Sequence, residues 1–268
     1  DEWTKIKKEI NDLGISIIGD MPFYVSGDSA DVWASRELFK MASPAKTNKL
    51  LADYEKDFAK YQTLKAKAEK TADLEKKEDD KEALNEPRKP KPEALVFESV
   101  AGVPPDYFCE DGQLWGNPLY DWDAMERDGY GWWIRRIEGA EKLYDVIRTD
   151  HFRGFASYWS VPYGELTARN GVWMPGPGMK LVGVLTSWFH DLDFIAEDLG
   201  YVTEDVRKLV WDSGMPGMKI LEFAFDAHGD SDYLPHCIPY NATCYLGTHD
   251  NNTVMGWLKD IGKRDRDF

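Results

Sequence analysis

The sequence predicts an α/β fold, read as a (β/α)8 TIM barrel, and three observations carry that expectation. Short apolar, β-branched runs end in acidic residues five times or nearly so. Helical patterns lie between several of these runs, and strand–helix alternation over such a length reads as α/β. Neither G-x-G-x-x-G nor G-x-x-x-x-G-K-[ST] occurs, which ranks the barrel above a doubly wound nucleotide-binding sheet.

The first run is Ile15-Ser-Ile-Ile-Gly-Asp20 and the second is Asp145-Val-Ile-Arg-Thr-Asp150. The third is Phe194-Ile-Ala-Glu-Asp198, the fourth Lys219-Ile-Leu-Glu-Phe223, and the fifth Thr243-Cys-Tyr-Leu-Gly-Thr-His-Asp250. Each is short and apolar, as buried parallel strands are. Polar residues at the C-terminal ends of such strands are where a barrel keeps its chemistry. Thr203 is placed to cap a helix whose first turn holds Glu204 and Asp205. Gly214 stops that helix, and Pro216 follows the stop.

One segment has a different composition. Residues 46–93 are rich in Lys, Glu, Asp and Ala and carry a balance of +1, so the rest of the chain carries −16. Leu50, Tyr54, Phe58, Tyr61 and Leu64 recur at steps of four, four, three and three, which is one face of a helix. Beyond Ala72 the apolar face fades, and Pro87, Pro90 and Pro92 predict a stiff extended return. The expected organisation is a barrel portion at 1–40, a charged helical insertion at 41–99, and a second barrel portion with active-site loops at 100–268.

The chain has 268 residues and a net charge of −15. Nucleic-acid binding usually leaves a basic footprint, so this balance argues against it and suits a neutral, polyhydroxylated substrate. No apolar run approaches the roughly 20 residues a membrane span needs. The stretch DEWTKIKKEI lacks a basic region followed by an apolar core, which predicts no secretory leader. Cys109, Cys237 and Cys244 form no CxxC pair and cannot all pair internally, which predicts reduced thiols and a cytoplasmic setting. The 11 Trp serve either a large core or stacking on sugar faces.

Three acidic residues stand out. Asp150 ends an apolar strand and is flanked by Arg148, His151 and Arg153. Nearby cations lower a carboxylate's pKa, so Asp150 is expected to be ionised, as a nucleophile or within a structural ion-pair network. Glu197 and Asp198 are adjacent on a strand and point to opposite faces, so one can face the barrel mouth while the other braces a loop. Glu197 takes general acid/base duty in this reading. His249 and Asp250 can hold sugar hydroxyls. A metal site is the competing reading, but none of the five His falls in an HxH or HExxH spacing, so neither metal nor cofactor is expected. Glycoside chemistry needs two carboxylates across the scissile bond, one ionised and one protonated. No GxSxG supports a serine nucleophile instead.

The match becomes specific in longer strings. GDMPFYVSGDSADVW (19–33), AGVPPDYF (101–108), GQLWGNPLYDW (112–122), RTDHFRGF (148–155), AEDLG (196–200), PGMKILEFAFD (216–226) and GTHDN (247–251) occur in order. Together they resemble the amylomaltases, the 4-α-glucanotransferase branch of the α-amylase clan. The resemblance implies Asp150 as nucleophile, Glu197 as general acid/base and Asp250 as transition-state stabiliser. It implies that Arg148 holds the nucleophile, that Asp20 supports it and that His249 contacts the sugar. It also places Tyr107, Phe108, Trp115, His151 and Asn251 among the glucan contacts. The implied partners are α-1,4-glucans and maltooligosaccharides, with no nucleic acid and no membrane. The implied setting is cytoplasmic, or a plastid in a plant or alga. The family is longer than this chain, so the visible runs would be barrel strands three to seven, with the first two and the last outside it. The 41–99 stretch departs from the family in length and charge, and Thr149, Cys109 and Asn252 replace more usual residues. An α-glucan hydrolase of the same clan, a non-catalytic glucan-binding fragment and a nucleotide-dependent sugar transferase are the alternative readings.

Overall fold

The structure is a computed structural model that describes residues 2–70, 97–106, 109–200, 202–225 and 231–262. Packing divides the chain into two compact units. The first comprises Asp1–Phe23, Trp122–Tyr158 and Trp173–Phe268; the second comprises Tyr24–Asp121 and Trp159–Val172. These boundaries differ from 1–40, 41–99 and 100–268, because composition marks the charged stretch whereas contacts mark what packs together.

In the first unit the strands run parallel. β1 (Ile18–Met21), β4 (Val146–Thr149) and β7 (Asp193–Ala196) form one sheet in that order. β8 (Gly217–Ile220) and β9 (Ala242–Tyr245) pair in parallel as a second sheet. The Ala196 N–H donates to the Pro216 carbonyl at 2.9 Å and joins the two sheets. All five acidic-ended runs thus overlap a parallel strand, each strand shorter than the run. Ile15 is 54% exposed and lies before β1. The fourth run breaks into a 3-10 turn, Leu221–Ala224, and the fifth stops before its Gly247 turn.

Helices α1 (Glu2–Asp12), α4 (Trp122–Arg127), α5 (Gly131–Glu141), α6 (Arg153–Ala156), α7 (Met179–Trp188), α8 (Glu204–Ser213) and α9 (Val254–Asp260) belong to the same unit. Residues of α5, α6 and α7 supply its core. Phe23, Trp133 and Phe155 are buried in mutual ring contact, with centroids 4.8–5.9 Å apart. Burying each such side chain is worth about 1.5–3 kcal/mol. α8 buries Val206 and Leu209 and ends at Gly214, whose φ of +71° is the left-handed stop a glycine makes readily. Thr203 occupies the cap position as expected, but its hydroxyl makes no capping bond. Thr253, by contrast, caps α9 by accepting from the Gly256 N–H at 3.2 Å.

The second unit holds α2 (Ala30–Ala34), α3 (Pro44–Lys70) and an antiparallel sheet. β2 (Ser99–Val103) lies between β3 (Gln113–Pro118) and β5 (Ser157–Pro162), and β6 (Val172–Pro175) follows in the chain. α3 is the helix foreseen in the charged segment. Tyr54, Phe58, Tyr61 and Leu64 are half-buried along it, with ring centroids 5.6 and 6.1 Å apart for Tyr54–Phe58 and Phe58–Tyr61. The proline-rich return expected beyond Ala72 lies outside the described residues. No described helix is long and apolar enough to cross a membrane. Cys109, Cys237 and Cys244 are free thiols.

Candidate active site

The parallel ladder sets the site's geometry. Asp20 on β1 lies directly across from Arg148 on β4, which in turn lies across from Ile195 on β7. Arg148 is buried and donates from Nη1 to Asp20 Oδ1 and, at 3.1 Å, to Asp150 Oδ1. Its Nε donates to the Met218 sulfur at 3.3 Å. One cation therefore ties two acidic strand ends together. Thr149 is buried and donates its hydroxyl to the Ile195 carbonyl at 3.0 Å, a side-chain bond from β4 to β7.

Glu197 follows β7 directly. Its N–H donates to the Thr149 carbonyl at 3.1 Å, and its own carbonyl accepts from the Phe152 N–H at 3.0 Å. Its carboxylate is held from both sides: Oε2 accepts from the His151 N–H and Oε1 from the Leu199 N–H, each at 2.8 Å. His151 reaches that position with φ of +46°, a left-handed conformation uncommon outside glycine. Burial pushes Glu197 up to about 6, against these two hydrogen bonds, which favour its charged form. Asp198 faces elsewhere, accepting from the Met218 N–H at 2.7 Å, so the adjacent acids divide into one in the site and one brace.

Two electrostatic expectations are corrected. Asp150 was expected below the usual carboxylate range, yet it is raised. Burial is the largest cause, Arg148 opposes it, and the negative charges of Asp20 and Asp250 add to the rise. Nor is His151 a cation beside it: burial, then the Arg153 charge, lowers the imidazole to about 3, so the ring is neutral at ordinary pH. Arg153 packs over the Trp173 ring at 4.0 Å and donates to the Ser157 hydroxyl.

The fifth strand end is built differently. The Thr248 N–H and hydroxyl both donate to Asn251 Oδ1, at 2.8 and 3.0 Å. The Asp250 N–H donates to the Thr248 hydroxyl at 3.3 Å. His249 Nε2 lies 3.5 Å from Asp250 and 3.9 Å from Asp20, which links this turn to the Arg148 cluster. The Asp250 side chain is 72% exposed. Asn251, expected at the glucan, holds the turn with its carbonyl oxygen.

The fold thus gathers Asp20, Arg148, Asp150, His151, Glu197, His249, Asp250 and Asn251 within the first unit. Trp115 lies on β3 of the second unit, half-exposed, its indole N–H donating to Gln113 at 3.1 Å. Tyr107 and Phe108 lie outside the described residues. Sequence reasoning left Asp198 the bracing role it has here, but missed Glu222, a buried acid just after β8. Glu222's signal was its place at the end of the fourth apolar run.

A family model described as 4-alpha-glucanotransferase matches residues 1–268. The chain belongs to that family. It is 41% identical over 259 residues to a 4-alpha-glucanotransferase of Streptococcus pneumoniae serotype 4 (strain ATCC BAA-334 / TIGR4), covering 97% of this chain and 41% of the relative. It is 39% identical over 269 residues to that of Thermus thermophilus, covering 100% and 44%. The chloroplastic/amyloplastic enzyme of Solanum tuberosum is 40% identical over 265 residues, covering 99% and 37%. Among solved structures, an amylomaltase from Streptococcus agalactiae in complex with acarbose superposes with a TM-score of 0.75 at 37% identity, covering 99% of this chain and 44% of that one. An amylomaltase from Corynebacterium glutamicum, 19% identical with a TM-score of 0.68, shares the fold and covers 96% and 29%. The chain spans about two fifths of the length of the curated relatives it matches.

Proposed function

We propose that this chain carries the reaction centre of a 4-α-glucanotransferase acting on α-1,4-glucans and maltooligosaccharides in the cytoplasm. In this reading β1, β4, β7, β8 and β9 are strands three to seven of a (β/α)8 barrel, and residues 41–99 are a charged insertion. Parallel pairing in chain order and acidic residues at the C-terminal ends support it.

The observation that carries the proposal is Glu197. It is a carboxyl raised to about 6, fixed by two backbone donors, on the strand next to Asp150 and its Arg148 partner. Such a group holds a proton in mildly acidic solution and gives it up readily, which is what a general acid/base requires. Ionised Asp150 attacks the anomeric carbon while the glycosidic C–O bond breaks, and the Glu197 proton passes to the leaving oxygen. An acceptor 4-hydroxyl then gives its proton to Glu197 and displaces Asp150 from the glucosyl ester. Two inversions give net retention, for which the two carboxyl groups stand about 5–5.5 Å apart. Asp250 grips the 2- and 3-hydroxyls, and His249 contacts the same sugar. Transfer outruns hydrolysis when the ester is shielded from water until an acceptor arrives.

α-Maltosyl fluoride tests the two roles separately, because fluoride leaves without a proton. Glu197→Gln is expected to keep releasing fluoride while failing on maltotriose, and Asp150→Asn to lose both. Equal loss of fluoride release in both variants would overturn the assignment.

A further inference from the structure

Glu222 has no part in the chemistry above, yet its carboxyl group lies beneath the turn that presents Asp250. It is only 8% exposed and sits in the 3-10 turn after β8. Its N–H donates to the Leu246 carbonyl at 3.2 Å, just where β9 gives way to Gly247. Its Oε1 is buried and has no hydrogen-bond partner among the described residues. A carboxyl group kept in such a place without a bond there needs a reason, since burial of an unsatisfied polar atom is costly.

Gly247 supplies one. A Cβ at this residue would lie 3.2 Å from both Cδ and Oε1 of Glu222, and 3.3 Å from the Asn251 Cβ. Glu222 and Asn251 therefore both crowd the side of Gly247 on which a side chain would stand. Asn251 Oδ1 meanwhile holds the Thr248 N–H and hydroxyl, and that hydroxyl accepts from the Asp250 N–H. The Glu222 carboxyl thus lies against Gly247, and the hydrogen bonds of the turn lead from there through Thr248 to Asp250, whose side chain is 72% exposed and meets His249 Nε2 at 3.5 Å.

We propose that Glu222 is a positioning residue for the proposed reaction: its buried carboxyl is the floor on which the Gly247–Asn251 turn rests and sets where Asp250 meets the glucan. It touches neither substrate nor reacting atoms. The proposal rests on the glucanotransferase reading, in which Asp250 stabilises the transition state. A misplacement of about 1 Å at a reacting group costs about 10²-fold, so a shift of a few tenths of an ångström is expected to cost about fivefold to tenfold.

The test is a double-mutant cycle on the whole chain, with melting temperature, acarbose affinity by calorimetry and maltotriose turnover measured for each variant. Gly247→Ala is expected to weaken acarbose binding and lower kcat by about fivefold to tenfold, because the new methyl group pushes against Glu222. Glu222→Ala is expected to lower kcat by a similar factor with little change in KM, and Glu222→Gln, which keeps the shape, to stay within about twofold of the parent. The double variant Glu222→Ala with Gly247→Ala is expected to match Glu222→Ala alone, since the collision is gone. In an Asp250→Asn background, Glu222→Ala is expected to change acarbose affinity no further. Overturning results are single effects that multiply in the double variant, or a lowered melting temperature with kcat and affinity unchanged. A parent chain that neither binds acarbose nor turns over maltotriose retires the glucanotransferase reading and this one with it. A parent that binds, with an indifferent Glu222→Ala, retires this one alone.

Discussion

The two halves of the candidate site are built on opposite plans. Around the buried Arg148, charges are paired and fixed by the parallel ladder: Asp20, Asp150 and Glu197 each sit at or just past a strand end and each meets a defined donor or cation. The Gly247–Asn251 turn is open to solvent and held mainly by hydrogen bonds within itself. In the proposed reaction this difference means that Asp150 and Glu197 are set before any glucan arrives, whereas Asp250 is finished by the glucan it grips. Preorganised charge stabilises a transition state without reorganisation at the moment of reaction.

The largest way to break this contrast is Asp150→Asn, expected to lower maltotriose turnover by about 10⁴-fold or more while acarbose binding persists. Asp250→Asn is expected to cost on the order of 10²–10³-fold in kcat. Its melting temperature should stay within measurement error, because the side chain is 72% exposed. A large loss of stability there would erase the distinction between the halves.

The Arg148 cluster is probed by pH. The proposed reaction requires Asp150 ionised and Glu197 protonated, so kcat/KM is expected to rise as pH passes the Asp150 value and to fall as pH rises through about 6. Arg148 lowers both carboxyls. Arg148→Ala is therefore expected to move both limbs to higher pH and to cost about 1–3 kcal/mol of stability. Glu197 also leaves a stability signature. Its folded value of about 6 lies above its ordinary 4.5, so its contribution is complete below 4.5 and disappears as pH rises through 6. Glu197→Gln should flatten that stretch of a melting-temperature profile. The smallest effect is Asn251→Ala, expected to loosen the turn by about 1 kcal/mol and to lower kcat by less than Asp250→Asn. Identical kcat losses in the two would mean that the turn's hydrogen bonds are all that hold Asp250 in place.

The sequence displayed the parallel strands because each is an apolar run short enough to be buried and ended by an acid. Gly214 and the Tyr54–Leu64 face were legible for the same reason: their signals are local. The antiparallel β2, β3 and β5 were not read as strands, since residues 99–103 and 113–118 alternate weakly and two Gly interrupt them. Within the site, residue identities were legible and charges were not. Three cations beside Asp150 in the chain promised a depressed pKa, but burial and carboxylates from other strands reverse the sign. His151 looked charged for want of any sign of its burial. Glu222 stayed unmarked because its neighbour, Gly247, lies in the turn after the next strand.

The most direct test of the central claim is to incubate the chain with maltotriose and resolve the products by size. The account predicts glucose together with maltooligosaccharides longer than the substrate, all lost in Asp150→Asn. Glucose and maltose alone would contradict it and identify a hydrolase, and unchanged products from Asp150→Asn would remove that carboxylate from the reaction.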